Sequence, residues 1–95
     1  MTLAWPAKDP GEDKDYGIDW TTRLGGDPIA SSAWSLPAGI TQATPAPSFT
    51  ATSTTIWLSG GTAGATYTLT NTVTTTGGRT FVEVVTLLAW PQNLE

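Results

Sequence analysis

From residue 16 to residue 90 the chain is written mostly in alternation, one apolar side chain for each polar one. YGIDWTT (16–22) sets Tyr16, Ile18 and Trp20 against Gly17, Asp19 and Thr21. STTIWLS (53–59) sets Ile56 and Leu58 against Thr55 and Trp57. ATYTLTNTVTTT (65–76) alternates most cleanly, with Tyr67, Leu69, Asn71 and Val73 against a column of threonines. A period of two is the signature of a strand with one face buried. RTFVEVVTLLAW (79–90) is apolar on both faces, with Phe81, Val85 and Leu87 on one and Val82, Val84, Leu88 and Trp90 on the other. Pro91 then ends it.

The remaining segments are less regular. In PIASSAWSL (28–36), Ile29 and Trp34 lie five positions apart, so regular pleating sends them to opposite faces. A bulge near Ser31 or Ser32 returns them to one. GITQATPAPSF (39–49) carries Pro45 and Pro47, which suit an edge strand or an extended crossing. No 3.6-residue pattern lasts three turns. Six or seven short strands between turns predict an all-β, immunoglobulin-like antiparallel β-sandwich of about seven strands, with an irregular N-terminal arm. Its expected core is Ile18, Trp20, Ile29, Trp34, Ile56, Leu58, Tyr67, Leu69, Val73, Val85 and Leu87.

Glycines mark the turns: Gly25 and Gly26 before Asp27, Gly60, Gly61 and Gly64 in SGGTAG, and Gly77 and Gly78 in TGGR. SGGTAG and TGGR both read as hairpin loops in which glycine supplies backbone angles other residues avoid. Neither reads as a phosphate cradle, since GGTAG lacks the Lys-Ser/Thr ending and no helix follows. Three regions result: an acidic, flexible arm over 1–15, a sandwich over 16–91, and a tail over 92–95 in which Leu94-Glu95 reads as a cloning scar.

Composition narrows the chemistry. With 95 residues, no cysteine and no histidine, the chain has no disulfide, thiolate or imidazole chemistry. No cofactor or metal is expected. Asp9, Glu12, Asp13 and Asp15 crowd the arm, but their spacing around Gly11 is not that of a calcium loop. A formal charge of -4 argues against nucleic acid, no apolar run has the length of a membrane span, and the N-terminus has no secretory pattern. Synthesis in the cytoplasm is the expectation.

Five tryptophans in so short a chain raise a different possibility. Ile56, Trp57 and Leu58 cannot all turn inward, and the last strand has the same surplus. Either a terminal arm folds over those side chains, or they form an interface. The candidate interface is Trp57, Thr55, Val82, Val84, Leu88 and Trp90. Asn71 is expected to bond to a turn or bulge backbone, and Arg79 to pair with Asp19 or Asp27.

Several stretches carry a family resemblance. Lys8 to Trp20 (K-D-P-x-E…D-Y-x-I-D-W), Gly26 to Trp34 (G-D-x-I-A-S-S-x-W), Thr55 to Asn71 and Thr74 to Thr80 together resemble tailed-phage and prophage structural proteins described as fibre–tail adaptors. The resemblance implies a virion protein of the phage tail, with no catalytic residues to transfer. It also implies other virion or tail proteins as partners and ring-forming self-association in the particle. The last strand departs from the pattern in being more apolar. A carbohydrate- or host-surface-binding sandwich is the alternative. A carboxylate-based hydrolase using Asp19 with Asp27 or Glu83 is a weaker third reading, because no acid–base pair can be located.

Overall fold

A computed structural model describes residues 2–90 as two packed sheets. The elements are β1 (Thr2–Ala4), β2 (Lys14–Asp19), a single helical turn α1 (Thr21–Leu24), β3 (Ile29–Ser35), β4 (Ile40–Gln42), β5 (Ser48–Phe49), β6 (Ser53–Gly60), β7 (Thr66–Thr75) and β8 (Thr80–Leu88). One sheet runs β1-β8-β7-β3 and the other β2-β6-β4, with β5 also on β6. The orders β3-β7-β8 and β2-β6-β4 are those of the C-F-G and B-E-D strands of an immunoglobulin domain. The expected tail over 92–95 lies outside the described residues.

Alternation places the core as the sequence predicts. Ile18, Trp20, Ile29, Ile56, Leu58, Tyr67, Leu69, Val73, Val85 and Leu87 are all buried, while Trp34 is half-buried and packs against both halves of the core. Tyr16, Leu24, Ile40 and Ala89 join them. The register shifts between Ile29 and Ser31 in the β3–β7 ladder, leaving Trp34 opposite Asn71 on the inner face. This is the expected bulge.

A polar knot crosses that core. The Asn71 Oδ1 accepts from Trp20 Nε1 at 3.2 Å and from Thr54 Oγ1 at 2.7 Å. Its Nδ2 donates to Ser32 Oγ at 2.9 Å and to the Ala33 carbonyl at 3.0 Å. Trp20 Nε1 also reaches Thr54 Oγ1 at 3.1 Å. Asn71 and Thr54 are fully buried, and satisfied polar groups in a low-dielectric interior strengthen one another.

Three expectations need correction. The first concerns the arm, where residues 2–4 form a strand running parallel to Val84–Thr86. Lys8 continues that ribbon, receiving a bond from Trp90 N and donating its own N–H to Leu88 O. The 1–15 segment also ends inside β2, which starts at Lys14. Acidic composition disguised this, because the pairing uses backbone groups.

The second correction is that YGIDWTT ceases to be a strand at Asp19. Its carboxylate accepts from the Thr21 N–H and hydroxyl, at 3.0 and 2.6 Å, starting the turn α1. Gly25, at φ 60°, closes it.

Third, SGGTAG is not a hairpin loop. It carries the chain from β6 in one sheet to β7 in the other. Tyr67 holds the crossing: its hydroxyl accepts from the Thr62 N–H at 2.7 Å. This is the tyrosine corner of immunoglobulin-type sandwiches, where the second strand of the crossing begins. TGGR is a hairpin turn, joining the paired strands β7 and β8. Asp27 pins it, accepting from Gly77 N at 3.0 Å and Thr76 Oγ1 at 3.2 Å, with Arg79 Nε at 3.6 Å. A Cβ on Gly77 would meet Asp27 Oδ2 at 2.7 Å, so a side chain there would push that carboxylate aside.

Two predictions follow from this packing. Replacing Asn71 by Ala takes the acceptor from the Thr54 hydroxyl and leaves Trp20 Nε1 with Thr54 Oγ1, and should cost about 1–3 kcal/mol for the stranded hydroxyl. Urea unfolding measures it, and a double-mutant cycle with Thr54→Val should show coupling rather than additivity.

The Asp27 carboxyl lies below its ordinary value, first through the Thr75 hydroxyl and then through Gly77 N–H, Thr76 and Arg79. A depressed folded pKa stabilises fully above the unfolded value (about 3.9), and that contribution fades as pH falls through the folded value. Asp27→Asn should therefore flatten the acid limb of a stability-versus-pH curve.

Candidate interaction surface

The six candidate residues do not share one surface. Outward positions on β8 are Val82, Val84, Thr86 and Leu88, followed by Trp90 past the strand end. They run beside the outward threonines of β7 in the register Thr66↔Leu88, Thr68↔Thr86, Thr70↔Val84 and Thr72↔Val82. Trp57 and Thr55 lie on the outer face of the other sheet, opposite Asp15 and Gly17 of β2. The two groups point away from each other.

The β8 group is the more exposed. Val82 is 48% exposed, Leu88 40% and Trp90 53%. The Trp90 ring lies near Gly64 of the crossing. Val84 is half-buried, as are Trp57 and Thr55. The result is a column of aliphatic and aromatic side chains laid along a threonine column. A sheet face rich in β-branched residues offers area with little side-chain entropy to lose on contact. The alternative expectation, that an arm folds over these side chains, does not describe the β8 face: β1 lies along the edge of β8, in its own sheet.

Residues beyond the candidate list shape the rim. Arg23, on α1, donates to Glu83 Oε1 at 2.7 Å and to the Val82 carbonyl at 3.2 Å, and lies 5.0 Å from the Trp20 ring and 5.6 Å from Phe81. It occupies the stretch of β8 edge that β1 does not reach. With Arg23 44% exposed, the ion pair itself contributes little. Phe49, 44% exposed on β5, adds an apolar side chain on the far sheet. No alternation signal marks Arg23 or Phe49, since both sit outside the periodic strands.

The arm supplies a second cluster. Trp5 stacks on Tyr16 at 4.7 Å and meets Trp34 at 5.8 Å, and its indole N–H donates to the Gly17 carbonyl at 3.2 Å. The Tyr16 hydroxyl donates to the Pro6 carbonyl at 3.1 Å, and burial, with Glu12 and Asp15 nearby, pushes its pKa to about 12. Lys8 is fully buried, its Nζ donating to the carbonyls of Gly60 at 2.8 Å and Asp9 at 2.9 Å. Burial lowers its pKa, opposed by Asp13, Glu12 and Asp9.

The three acidic side chains weighed for hydrolysis are engaged apart from one another. Asp19 bonds Thr21, Asp27 the β7–β8 turn, and Glu83 Arg23. Among the described residues no three acidic side chains gather in a metal-binding group, and no helix is long and apolar enough to cross a membrane. A shallow depression of about 140 Å³ near Leu24, Pro28, Ala51 and Thr52 falls short of the roughly 300–1,000 Å³ of small-molecule sites.

Leu87 and Leu88 separate the two faces in one experiment. Leu87→Ala should cost about 2–5 kcal/mol, whereas Leu88→Thr should stay within about 0.5 kcal/mol, both read by chemical denaturation.

No curated protein shows a significant match to the chain. Residues 8–88 match the family described as podophage GP4 fiber-tail adaptor protein gp77. That span takes in β2 through β8 with the knot, the tyrosine corner and the apolar column as far as Leu88, and the chain belongs to this family of phage fibre–tail adaptors.

Proposed function

We propose that the chain is a non-enzymatic structural component of the phage tail that joins two neighbours through opposite outer faces. The observation that supports this reading most is the sidedness of its apolar residues. Val82, Val84, Leu88 and Trp90 face out from one sheet, and Trp57 with Thr55 faces out from the other. A joint between unlike parts needs two such surfaces, and a sandwich supplies them on a rigid spacer. Large aromatic side chains are the usual anchors of such contacts. One neighbour is another virion or tail protein, and repeated contacts between copies would close a ring. The protein works in the virion after synthesis in the bacterial cytoplasm.

Co-expression with the tail and fibre proteins of the same phage, followed by co-purification, tests the arrangement. Trp90→Ser should lose one partner and Trp57→Ser the other, with unfolding midpoints close to that of the parent. Retention of every partner by both variants overturns it.

A further inference from the structure

Residues 2–8 are built as a separable piece. Among the described residues their backbone-to-backbone bonds run to β8 and its extension: Thr2–Ala4 with Val84–Thr86 in parallel, then Trp5 N–H to Thr86 O, Lys8 N–H to Leu88 O and Trp90 N–H to Lys8 O. A parallel partner cannot arrive by a hairpin. Here it arrives through Asp9–Asp13, which crosses from this sheet to β2 of the other. That crossing carries local bonds, from Asp9 N to Glu12 Oε1, Gly11 N to Asp9 Oδ1 and Glu12 N to Asp9 O. Opened out, five residues span about 17 Å.

The socket that receives this piece is specific. Trp5 fits between Tyr16 and Trp34, the Pro6 carbonyl takes the Tyr16 hydroxyl, and the Lys8 ammonium finds the Gly60 carbonyl in a buried site. A buried ammonium needs those acceptors, which makes the socket selective for a lysine at that register. The family match begins at Lys8, so β1 lies outside it while the receiving edge of β8 lies within. That edge is also continuous with the apolar column, since Val84 and Thr86 are at once outward residues and the partners of Thr2 and Ala4.

We propose that residues 2–8 exchange between copies, the arm of one chain occupying the β8 socket of its neighbour and linking adaptors within the particle. The occupant is a second copy of this chain because the socket fits the arm's own Trp5, Pro6 and Lys8. Exchange of identical elements keeps the arm's bonds to its socket and gives up the local bonds of the Asp9–Asp13 crossing, so its cost is small. The inference rests on the adaptor reading for the assembly it serves.

The chain has no cysteine, so disulfide trapping reads the exchange directly. One population carries Ala4→Cys and another Thr86→Cys, at paired positions on the outer face; they are unfolded together, refolded together and oxidised. The expected product is a mixed disulfide whose yield rises with protein concentration and exceeds several-fold that from Ala4→Cys mixed with Thr68→Cys, one strand away. Both substitutions placed in one chain and oxidised at high dilution should give an intrachain bond, showing that the sites are tolerated and in register. Mixed product at the control level overturns the exchange. If the parent chain still associates in sedimentation while trapping stays at that level, the adaptor reading survives and arm exchange falls. If trapping succeeds but Trp90→Ser leaves association unchanged, exchange survives and the apolar column loses its place.

Discussion

The Asn71 amide is the point on which both sheets close. Its four hydrogen bonds reach Trp20 just past β2, the start of β6 and two successive residues of β3. Apolar packing alone constrains the separation of two sheets but tolerates sliding, because dispersion and water exclusion have little direction. Hydrogen bonds do have direction. With Trp20, Thr54 and Asn71 each at 0% exposure, any shift of one sheet would strand a donor or acceptor without water to replace its partner. Immunoglobulin domains of antibodies cross this gap with a disulfide. Here Leu69, two residues beyond the corner Tyr67, is buried in the apolar core, and the amide carries the directional link.

The corner loops complete the frame. Gly60, Gly61 and Gly64 all have positive φ, and the crossing they allow is held at one side by Tyr67 and at another by Lys8. A Cβ on Gly61 would lie 3.1 Å from Ala89 Cβ, so the loop also packs against the extension of β8. The two glycine-rich loops look alike in sequence and do different work. One moves the chain between sheets, and the other turns it back within one.

For a tail adaptor the consequence is a stiff plate with distinct sides. Threonines and aliphatics tile one outer face, and Trp57 stands among polar and acidic neighbours on the other. The edges are treated differently. Arg23 takes a free carbonyl of β8, the arm covers the rest of that edge, and β2 carries Lys14, Asp15 and Asp19. Charges on an edge strand discourage indiscriminate pairing.

Much of this was legible in the chain. Period-two alternation fixed which side of β6, β7 and β8 faces the core, because pleating ties side-chain direction to sequence parity. The mismatch between Ile29 and Trp34 was enough to demand a bulge. Parity also identified Trp57, Val82, Val84, Leu88 and Trp90 as surplus to one core. It could not say that they belong to opposite faces of the molecule, since parity is counted separately within each strand and strand-to-sheet assignment depends on long-range pairing.

The same limit explains the crossing mistaken for a hairpin: glycine specifies allowed backbone angles, not the partner of the next strand. The ordered arm was hidden because Lys8 and its acidic neighbours read as solvated charge. Only the folded chain brings the Gly60 carbonyl to the Lys8 ammonium, across more than fifty residues of sequence, and so turns a charged residue into a buried anchor.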